Sequence, residues 1–329
     1  MISINTKTRI LALLESKRGQ NISGEHIAKQ LNVSRNSIWK AISELRKDGY
    51  LICAVTKVGY CLSEDNDIIS AQGIQPFLSA KNVSANIIVH EMLESTNKTA
   101  KELAISGAQH GTVIIADSQS AGVGRYGRQF HSPPGHGIYM SMILHPARIR
   151  FATPTLITSF AAVAVCEAVE AVSGAKPQIK WVNDIFLDGK KICGILTEAA
   201  IDFEGGGTQW IILGIGINFS TPIADFPSDL QQIAGAVFAN VTPPTSRNHL
   251  IAEIMNRITE PCSEKDMLDK YRKRLMMLGK DIVVIGSGAG EPYEAKAIDI
   301  DSTGRLVVAK RDSGEIISLS SGEISIRQK

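Results

Sequence analysis

The first sixty residues show an apolar pattern that predicts three short helices. The apolar positions of residues 8–15 recur at helical spacing: Ile10, Leu11, Leu13 and Leu14. A second helix is predicted over Glu25–Leu31, followed by a tight turn at Asn32–Val33. Ser34 is a suitable N-cap for a third helix, which Asp48–Gly49–Tyr50 ends. The spacing of the last two helices is that of a helix-turn-helix.

The third helix separates an apolar face from a polar one. Ile38, Ile42 and Leu45 fall at i, i+4 and i+7 and should face the core. In a helix-turn-helix the exposed N-terminal part of this helix enters the major groove of DNA. The residues predicted to bind DNA are Arg35, Asn36, Ser37 and Lys40. Two apolar stretches follow, Leu51–Val55 and Tyr60–Leu62, and predict a β-hairpin wing around a turn at Lys57–Gly59.

After a linker and a short helix in residues 63–82, the pattern becomes mixed α and β. The predicted strands are Ile87–His90, Thr112–Asp117, Gly137–Leu144, Ile179–Val182, Ile192–Ala199 and Trp210–Phe219. The predicted helices are Asn97–Ser106, Thr155–Val172 and Arg247–Thr259. A tail of short strands separated by glycine turns predicts a small β module: Asp281–Ile285, Glu294–Ile300, Leu306–Ala309, Glu315–Leu319 and Glu323–Ile326. The predicted domains are therefore 1–65, 66–277 and 278–329.

Charge is distributed unevenly along the chain. The net charge is +2, but Met1–Leu62 has ten Lys and Arg against four acids, so this head carries +6 and the other 267 residues sum to −4. A small basic head on a mildly acidic body is typical of a nucleic-acid-binding arm. A three-helix bundle with a solvated basic face is the alternative. It would explain the charge, but not the turn spacing and the wing together.

Composition predicts a soluble, cytoplasmic protein that makes no membrane contact. The chain has 329 residues, 44% of them hydrophobic, and no run of about 18 apolar residues or N-terminal apolar signal core is present. Five cysteines lie far apart without CxxC spacing, which favours neither a disulfide framework nor a zinc site. They are expected to be buried, reduced thiols: Cys53, Cys61, Cys166, Cys193 and Cys262.

The segment Gly122–Gly127 matches the GxGxxG expression of dinucleotide-binding folds. Such a fold needs a helix immediately after the glycines and an acid about twenty residues later. Here two prolines follow, and no acid occurs between Asp117 and Glu167. An acid-free glycine loop with Arg125 and Arg128 instead suits a loop that grips a polyphosphate through backbone amides and guanidinium groups. A flexible surface loop with incidental arginines is the alternative.

A second polar group lies in Lys180–Asp184, and the following residues predict a hairpin with a turn at Asp188–Gly189. The next strand begins with Lys190 and Lys191 and contains Gly194. A lysine beside a glycine-containing strand can contact a carboxylate and a phosphate together, which offsets the repulsion between two anions. The alternative is that both lysines only flank a turn.

Together these motifs resemble the bifunctional biotin–protein ligases that double as biotin operon repressors. Four motif groups occur in the family's order behind a winged helix: Glu94–Asn97, Gly122–Arg128, Lys180–Asp184 with Lys191–Gly194, and Gly214–Asn218. The resemblance covers nearly the whole chain. It implies an N-terminal winged helix-turn-helix, a central α/β domain of the class II synthetase-like, lipoate-ligase type, and a C-terminal SH3-like barrel.

The resemblance also implies roles for individual residues. The implied biotin-binding residues are Ser95, Thr96, Asn97, Gln119, Gly122, Gly124, Arg125, Lys191, Gly194, Gly214 and Gly216. Lys191 would bridge the biotin carboxylate and the α-phosphate, and Arg125 and Arg128 would close over the adenylate. Asn183 would lie near magnesium and the phosphates, and Asp184 would assist the acceptor lysine. Asn218, Glu323 and Arg327 would approach ATP.

The implied reaction converts biotin and ATP-magnesium into biotinyl-5'-AMP and then biotinylates a lysine of the biotin carboxyl carrier protein of acetyl-CoA carboxylase. The adenylate would be the corepressor that promotes a homodimer on operator DNA. Two alternatives are a lipoate–protein ligase and a catalytically silent biotin-sensing transcription factor. The chain departs from the family where it has Val123 for a frequent arginine, Phe130 for a common tryptophan and Val182 for a usual proline.

Overall fold

The computed structural model describes residues 5–149, 153–201, 208–285, 291–320 and 323–326. These residues form two compact units. The first contains Met1–Val83 with Thr245–Glu253, and the second contains Ser84–Pro244 with Ile254–Lys329. Each unit has its own sheet and buried core.

The first unit contains the predicted helix-turn-helix and wing. Its helices are α1 (Thr6–Ser16), α2 (Gly24–Leu31), α3 (Arg35–Lys47) and α4 (Ala71–Ile74). Its strands, β1 (Ile52–Val55) and β2 (Gly59–Leu62), form an antiparallel hairpin. Asn32 ends α2 in the left-handed region, and Ser34 Oγ accepts from the backbone N–H of Ser37 at 3.1 Å to begin α3. The predicted turn and N-cap are therefore confirmed.

The apolar stripes of the three longer helices meet in the core of this unit. Fully buried side chains include Ile10, Leu14, Ile27, Ile38, Ile42, Leu45 and Leu62. The segment 245–253 joins the unit through polar contacts. Arg247 Nε donates to Asp67 Oδ2 at 2.7 Å, and the side chain of Asn248 bonds to the backbone of Ile68 and Ser70.

The second unit is built on a seven-stranded sheet. The strands are β3 (Ile87–Leu93), β4 (Val113–Gln119), β5 (Gly137–Leu144), β6 (Gln178–Lys180), β7 (Asp184–Leu187), β8 (Lys190–Ile201) and β9 (Thr208–Asn218). Their order is β3-β4-β5-β9-β8-β7-β6, in which β3 and β4 are parallel and every other pair is antiparallel. The helices of this part are α5 (Thr96–Ile105), α6 (Pro154–Ser173) and α8 (Glu264–Arg274). Helix α7 (Arg247–Thr259) is shared, since residues 247–253 belong to the first unit and residues 254–259 to the second. The predicted mixed α/β fold is confirmed.

Two elements differ from the prediction. Strand β6 ends at Lys180, because residues 181–183 form a turn rather than the predicted continuation to Val182. Helix α8 was not predicted, because eight of its eleven residues are charged. Its apolar signal is reduced to the buried side chains of Met267, Leu268 and Tyr271.

Helix α6 is long and apolar enough to cross a membrane by length and composition. In this structure, however, 67% of its most apolar window is buried. It packs on one side against β8 and on the other against α8. Those contacts are the ones expected of a core helix.

The tail forms the predicted antiparallel β module. Its strands are β10 (Asp281–Ile285), β11 (Tyr293–Ile300), β12 (Leu306–Lys310), β13 (Ile316–Leu319) and β14 (Glu323–Ile326). They pair in the order β13-β12-β11-β10-β14. Alternate residues of β11 and β12 are buried, including Ala295, Ala297, Leu306 and Val308, as expected for a sheet with one face in a core.

All five cysteines are free, but the expectation that all are buried is wrong. Cys166 and Cys193 are buried, and burial raises the pKa of the Cys193 thiol well above its usual range. Cys262 is only partly buried. Cys53 and Cys61 face each other across the wing hairpin, on the face opposite the buried Ile52–Leu62 pair. Their side chains are therefore exposed and half-buried, respectively.

The turn after β6 is held by two buried polar contacts. Trp181 Nε1 donates to the carbonyl of Gly304, between β11 and β12, at 3.1 Å. Burial raises the pKa of the Tyr271 hydroxyl, which stays protonated and donates to the carbonyl of Val182 at 3.0 Å. The tail module and α8 therefore fix residues 181 and 182 directly before the polar pair Asn183 and Asp184.

Trp181→Phe should destabilise the second unit more than Trp210→Phe. Both indoles are buried, and within the described residues Trp210 Nε1 has no hydrogen-bond partner. Each substitution removes a similar volume, but only Trp181→Phe leaves a buried carbonyl without its donor, which costs about 1–3 kcal/mol. Thermal unfolding should show a midpoint lower by about 2–10 °C in Trp181→Phe than in Trp210→Phe. Equal midpoints would contradict this role of the Gly304 contact.

Candidate active site

The second unit contains a cavity of about 430 Å³ that is lined by most of the predicted site residues. It lies at the N-terminus of α5 and the end of β4, and it is bordered by the loop 122–130 and the turn 181–183. The facing strands β8 and β9 contribute Gly194, Gly214 and Gly216 to its wall.

Neutral polar groups gather around the first turn of α5. Ser95 is the N-cap, and the Thr96 N–H donates to Gln119 Oε1 at 2.8 Å, which satisfies one of the free amides of the helix start. The Thr96 hydroxyl lies 3.2 Å from the same oxygen. Gln119 Nε2 in turn donates to Ser132 Oγ at 3.0 Å. Thr96 and Gln119 of the prediction thus position each other, and Ser132, which was not predicted, holds the other end of the Gln119 amide.

Asn97 is fixed by residues that the sequence did not indicate. Its Oδ1 lies 2.6 Å from Ser141 Oγ, and its Nδ2 donates to Glu198 Oε2 at 2.7 Å. Glu198 also forms an ion pair with Lys101 at 2.6 Å. A Cβ atom on Gly214 would lie 2.2 Å from Asn97 Oδ1. The amide therefore occupies space that exists only because residue 214 is glycine.

The glycine loop folds back on itself instead of beginning a helix. The Gly124 N–H donates to the Arg128 carbonyl at 2.7 Å, and the Phe130 N–H donates to the Gly122 carbonyl at 2.8 Å. A Cβ atom on Gly122 would lie 2.6 Å from the carbonyl oxygen of Phe130, so this glycine allows the two sides of the loop to close. Tyr126, at φ 58, forms the tip. The argument against a dinucleotide-binding helix is confirmed.

The Phe130 ring rests on a glycine pair of the sheet. Gly194 and Gly216 are direct partners in the β8–β9 register. A Cβ atom on Gly216 would lie 2.7 Å from the ring, and one on Gly194 would lie 3.3 Å from it. The two glycines thus make room for the ring at the cavity wall.

The cationic part of the cavity contains Arg125, Arg128, Lys180 and Lys191. Arg125 Nη1 donates to Asn183 Oδ1 at 3.0 Å, and Asn183 Nδ2 donates to the Ile195 carbonyl at 2.9 Å. Asn183 therefore links the glycine loop to β8. Lys180 lies over the Phe186 ring at 5.9 Å.

Lys191 reaches the cavity because β8 is bulged. Ile185 pairs with Cys193 and Phe186 with Lys191, so Ile192 is an extra residue in β8. This insertion shifts the alternation of side chains, and Lys191 and Gly194 both line the cavity although they are three residues apart. Lys191 Nζ forms an ion pair with Asp184 Oδ1 at 2.7 Å.

The neighbouring lysine has a different environment. Lys190 Nζ donates to the carbonyl of Gln232 at 2.6 Å and does not line the cavity. The backbone of Lys191 is itself held, because its N–H donates to the Ile233 carbonyl and its carbonyl accepts from the Gly235 N–H. Lys190 therefore supports the loop 230–235, whereas Lys191 faces the cavity.

Four predicted site residues lie elsewhere or cannot be placed. Gly122 closes the glycine loop without lining the cavity, and Asn218 Nδ2 donates to the Gly235 carbonyl at 2.9 Å in a buried position. Glu323 begins β14, but its side chain is outside the described part. Arg327 lies outside the described residues.

The sequence analysis did not assign Lys180, Ser141, Glu198 or Lys101 to the site. Ser141 and Glu198 interrupt otherwise apolar strand segments, and a polar residue inside a buried strand is the signal that could have identified them. Lys180 belongs to the motif Lys180–Asp184, but the sequence did not indicate a role for this residue. Lys101 carries no comparable signal, because it lies on a partly exposed helix surface.

The cavity favours anions that also carry neutral polar groups. Its charged lining residues are four cations and Asp184, a net charge of +3. Within the described residues, no cluster of three His, Cys, Asp or Glu side chains could hold a metal ion. Electrostatic attraction by the cations is therefore the main contribution of the side chains to binding an anionic ligand.

Gly214→Ala should remove binding of biotin, the ligand that the resemblance implies. The added methyl group would displace the Asn97 amide, which is held on its other sides by Ser141 and Glu198. Thermal unfolding with and without biotin should show a folded variant that biotin no longer stabilises. Gly24→Ala is the control, since its methyl group would make only an ordinary contact at 3.7 Å with Tyr60. An unchanged biotin shift in Gly214→Ala would contradict this placement of Asn97.

Comparison with protein families identifies all three parts of the chain. Residues 89–218 match the biotin/lipoate A/B protein ligase family, residues 6–61 match an HTH domain, and residues 277–327 match the biotin protein ligase C terminal domain. Among solved structures, the biotin protein ligase from Aquifex aeolicus in complex with biotin and ATP superposes with a TM-score of 0.61 at 25% identity. The match covers 74% of this chain and 99% of that one.

Two curated relatives match about two thirds or more of the chain. The bifunctional ligase/repressor BirA of Bacillus subtilis strain 168 is 39% identical over 246 residues, which is 75% of each chain. The bifunctional ligase/repressor BirA of Bacillus spizizenii is 42% identical over 225 residues, 68% of each chain. With its helix-turn-helix head, its ligase sheet and its C-terminal module, the chain belongs to the family of bifunctional biotin ligases and repressors.

Proposed function

We propose that this ligase activates biotin with ATP to biotinyl-5'-AMP and transfers it to a lysine of the biotin carboxyl carrier protein of acetyl-CoA carboxylase. The observation that carries the proposal is the composition of one cavity, which joins neutral hydrogen-bonding groups to four cations. Biotin needs both kinds of group, since it has a neutral cyclic urea at one end and a carboxylate at the other. ATP adds further negative charge.

The neutral groups suit the urea, which offers two N–H donors and one carbonyl acceptor. Ser95, Thr96 and Asn97 provide hydroxyl and amide partners at a rigid helix start, and Gln119 adds an amide from the end of β4. Gly194, Gly214 and Gly216 leave space for Phe130 and Asn97 at the cavity wall, so a side chain at these positions would push those groups into the room that the bicyclic ring needs. Gly122 and Gly124 contribute by shaping the glycine loop. Gly124 also lines the cavity, whereas Gly122 does not.

In the first step a biotin carboxylate oxygen attacks the α-phosphorus of ATP, the bond from that phosphorus to the β-phosphate oxygen breaks, and pyrophosphate leaves. Two anions must meet for this bond to form. Lys191 binds both and reduces their repulsion, and Arg125 and Arg128 stabilise the charge that moves onto the leaving group. Asn183 orients Arg125 through their 3.0 Å bond. Asn218 supports the loop 230–235 beside Lys191, while Glu323 and Arg327 approach the nucleotide from the C-terminal module.

In the second step the carrier lysine attacks the carbonyl carbon of the adenylate, AMP leaves, and the amine loses a proton. Asp184 pairs with Lys191 in the structure. When Lys191 turns to the bound anions, the Asp184 carboxylate becomes available to accept that proton. The protein contributes no covalent nucleophile, so positioning and exclusion of water provide the rest of the catalysis.

The oxygen donors at this place also fit magnesium, which ATP brings with it. Magnesium usually binds substrate phosphates together with one or two protein oxygens. Asn183 at the cavity wall would lie near the ion and hold it indirectly, which leaves the Asp184 carboxylate free for the transfer step. The ion would neutralise phosphate charge when bound.

The first test is biotin-dependent exchange of labelled pyrophosphate into ATP, with lipoate as the control substrate. Lys191→Ala should slow this exchange about 100- to 1000-fold, because an electrostatic contact made in the transition state is lost. Lys190→Ala is the matched control, since this lysine contacts a loop carbonyl outside the cavity, and its exchange rate should stay within about threefold of the wild type.

Each outcome of this assay decides between specific functions. Exchange with lipoate would identify a lipoate ligase, and exchange with neither acid would favour a catalytically silent biotin sensor. A Lys191→Ala variant as active as Lys190→Ala would remove the central assignment of the mechanism.

The helix-turn-helix unit adds a regulatory function to the proposal. The basic head binds operator DNA through Arg35, Asn36, Ser37 and Lys40 at the start of α3, and biotinyl-5'-AMP is the corepressor that promotes a homodimer. Arg35, Asn36 and Lys40 are exposed, whereas the Ser37 hydroxyl lies 2.9 Å from the N-cap Ser34.

The proposal also divides the chain into three domains, 1–65, 66–277 and 278–329. It includes a synthetase-like fold for the central domain, an SH3-like form for the tail and a cytoplasmic location for the protein.

Loss of two cations from α3 should weaken binding to the promoter of the biotin-synthesis genes. Arg35→Ala combined with Lys40→Ala should raise the dissociation constant about 10- to 100-fold and reduce the salt dependence by about two released counterions. Band shifts with and without biotinyl-5'-AMP measure both. Lys265→Ala combined with Lys273→Ala, two exposed changes on α8, is the control, since it removes the same net charge. A wild-type chain that binds no promoter DNA with the adenylate present would refute the repressor function.

A further inference from the structure

Helix α3 carries one large apolar side chain on its solvent-exposed surface. The indole of Trp39 is 61% exposed, whereas Trp181 and Trp210 are buried at 3% and 7%. A single exposed apolar residue is common on protein surfaces and has no meaning by itself. The position of Trp39 within the helix is what makes it informative.

Trp39 lies on the part of α3 that faces away from the core. It follows Arg35 by four residues and Asn36 by three, so these three side chains are neighbours on the helix surface. The buried residue Ala41 lies on the opposite side, whereas the buried Ile42 lies at the border between the two surfaces. The apolar indole thus belongs to the same exposed surface as two of the residues proposed to bind DNA.

The charge around Trp39 favours DNA over a protein partner. Arg35 and Lys40 flank it, both exposed, and the whole head carries +6. The centre of a protein–protein interface is depleted in charged residues, whereas a DNA interface needs cations beside its base contacts to bind the phosphates. An indole surrounded by such cations matches the second arrangement.

We propose that Trp39 contacts thymine methyl groups of the operator in the major groove. The inference rests on the DNA binding proposed above and adds a determinant of its specificity. The neighbouring cations are suited to phosphates and guanine, but the large apolar face of an indole has a different complement. The apolar feature that base edges present in the major groove is the C5-methyl group of thymine. The surface that recognises the operator therefore combines cations with one apolar side chain that contacts thymine.

Substitution of thymine by uracil tests this contact directly, because it removes only the methyl groups. The probe is the promoter fragment of the biotin-synthesis genes, amplified with either thymidine or deoxyuridine triphosphate, and binding is measured by band shift with biotinyl-5'-AMP. The wild type should bind the uracil fragment about tenfold more weakly. Trp39→Ala should bind the thymine fragment about tenfold more weakly and should not distinguish the two fragments.

The salt dependence separates a base contact from a phosphate contact. Trp39→Ala should keep the wild-type salt slope, since no counterion release is lost. The far-ultraviolet circular dichroism spectrum should also be unchanged, which shows that the helices of the head are folded in the variant. Trp39→Phe retains an aromatic ring and should bind within about threefold of the wild type. Ile105→Ala, a similarly exposed apolar residue on α5, should bind as the wild type does.

Tryptophan fluorescence gives an independent measurement on the unmodified protein. Because the other two indoles are buried, acrylamide should quench mainly Trp39, and the thymine fragment should protect it. A wild type that binds DNA without protection of Trp39 would overturn the inference, as would an equal effect of uracil on the wild type and Trp39→Ala. Failure of the wild type to bind any promoter DNA would instead refute the repressor function itself.

Discussion

The register between β8 and β9 is the constraint on which the active site depends. Gly194 lies opposite Gly216, and Leu196 lies opposite Gly214, so three glycines form one recessed wall. Phe130 and Asn97 occupy the space that missing side chains leave. A slip of one residue would turn every side chain to the other face of the sheet. Asn97 would then meet a side chain instead of a glycine, and the neutral end of the cavity would be lost.

The bulge in β8 solves a second geometric problem. The strand must present both a glycine wall and a cation to one cavity, although Lys191 and Gly194 are three positions apart and would face opposite sides of a regular strand. The additional residue Ile192 corrects the alternation. The strand is locally irregular as a result. The loop 230–235 stabilises this irregular part through two backbone hydrogen bonds, one to the N–H and one to the carbonyl of Lys191. Main-chain contacts therefore hold the backbone of Lys191 in place.

Lys191, one of the four cations of the cavity, has its carboxylate partner within the same cavity. Lys191 and Asp184 form an ion pair at 2.7 Å with side chains only 31% and 24% exposed. Partly buried charges are costly without a partner, and each residue here supplies the other's. An arriving carboxylate and phosphate can replace Asp184 as the partner of Lys191. Under the proposed mechanism, the same pair stabilises the cavity before substrates bind, and it then provides the cation for activation and the carboxylate for transfer.

The sequence alone determined most element types, the helix-turn-helix and the order of the motifs. These features follow from local rules: apolar periodicity, N-caps, glycine turns and motif spacing. The resemblance to a known family, rather than such rules, implied about half of the residues that line the cavity. The sequence could not determine which group packs against which glycine. Gly122, Gly194 and Gly216 differ only in their neighbours in the folded protein. It also gave no sign that α8 would form from eleven mostly charged residues, since three buried apolar side chains suffice once a core is available.

Only the tertiary structure decided how distant residues meet. Ser141 and Glu198 hold Asn97 from 44 and 101 residues away, and Gly304 holds Trp181 from 123 residues away. The tertiary structure also placed Cys53 opposite Cys61. It gave the adjacent lysines different partners, the Gln232 carbonyl for Lys190 and the Asp184 carboxylate for Lys191. The physical reason is the same in each case. Strand pairing and core packing fix such contacts through the whole chain, whereas the pattern within any short segment is compatible with many partners.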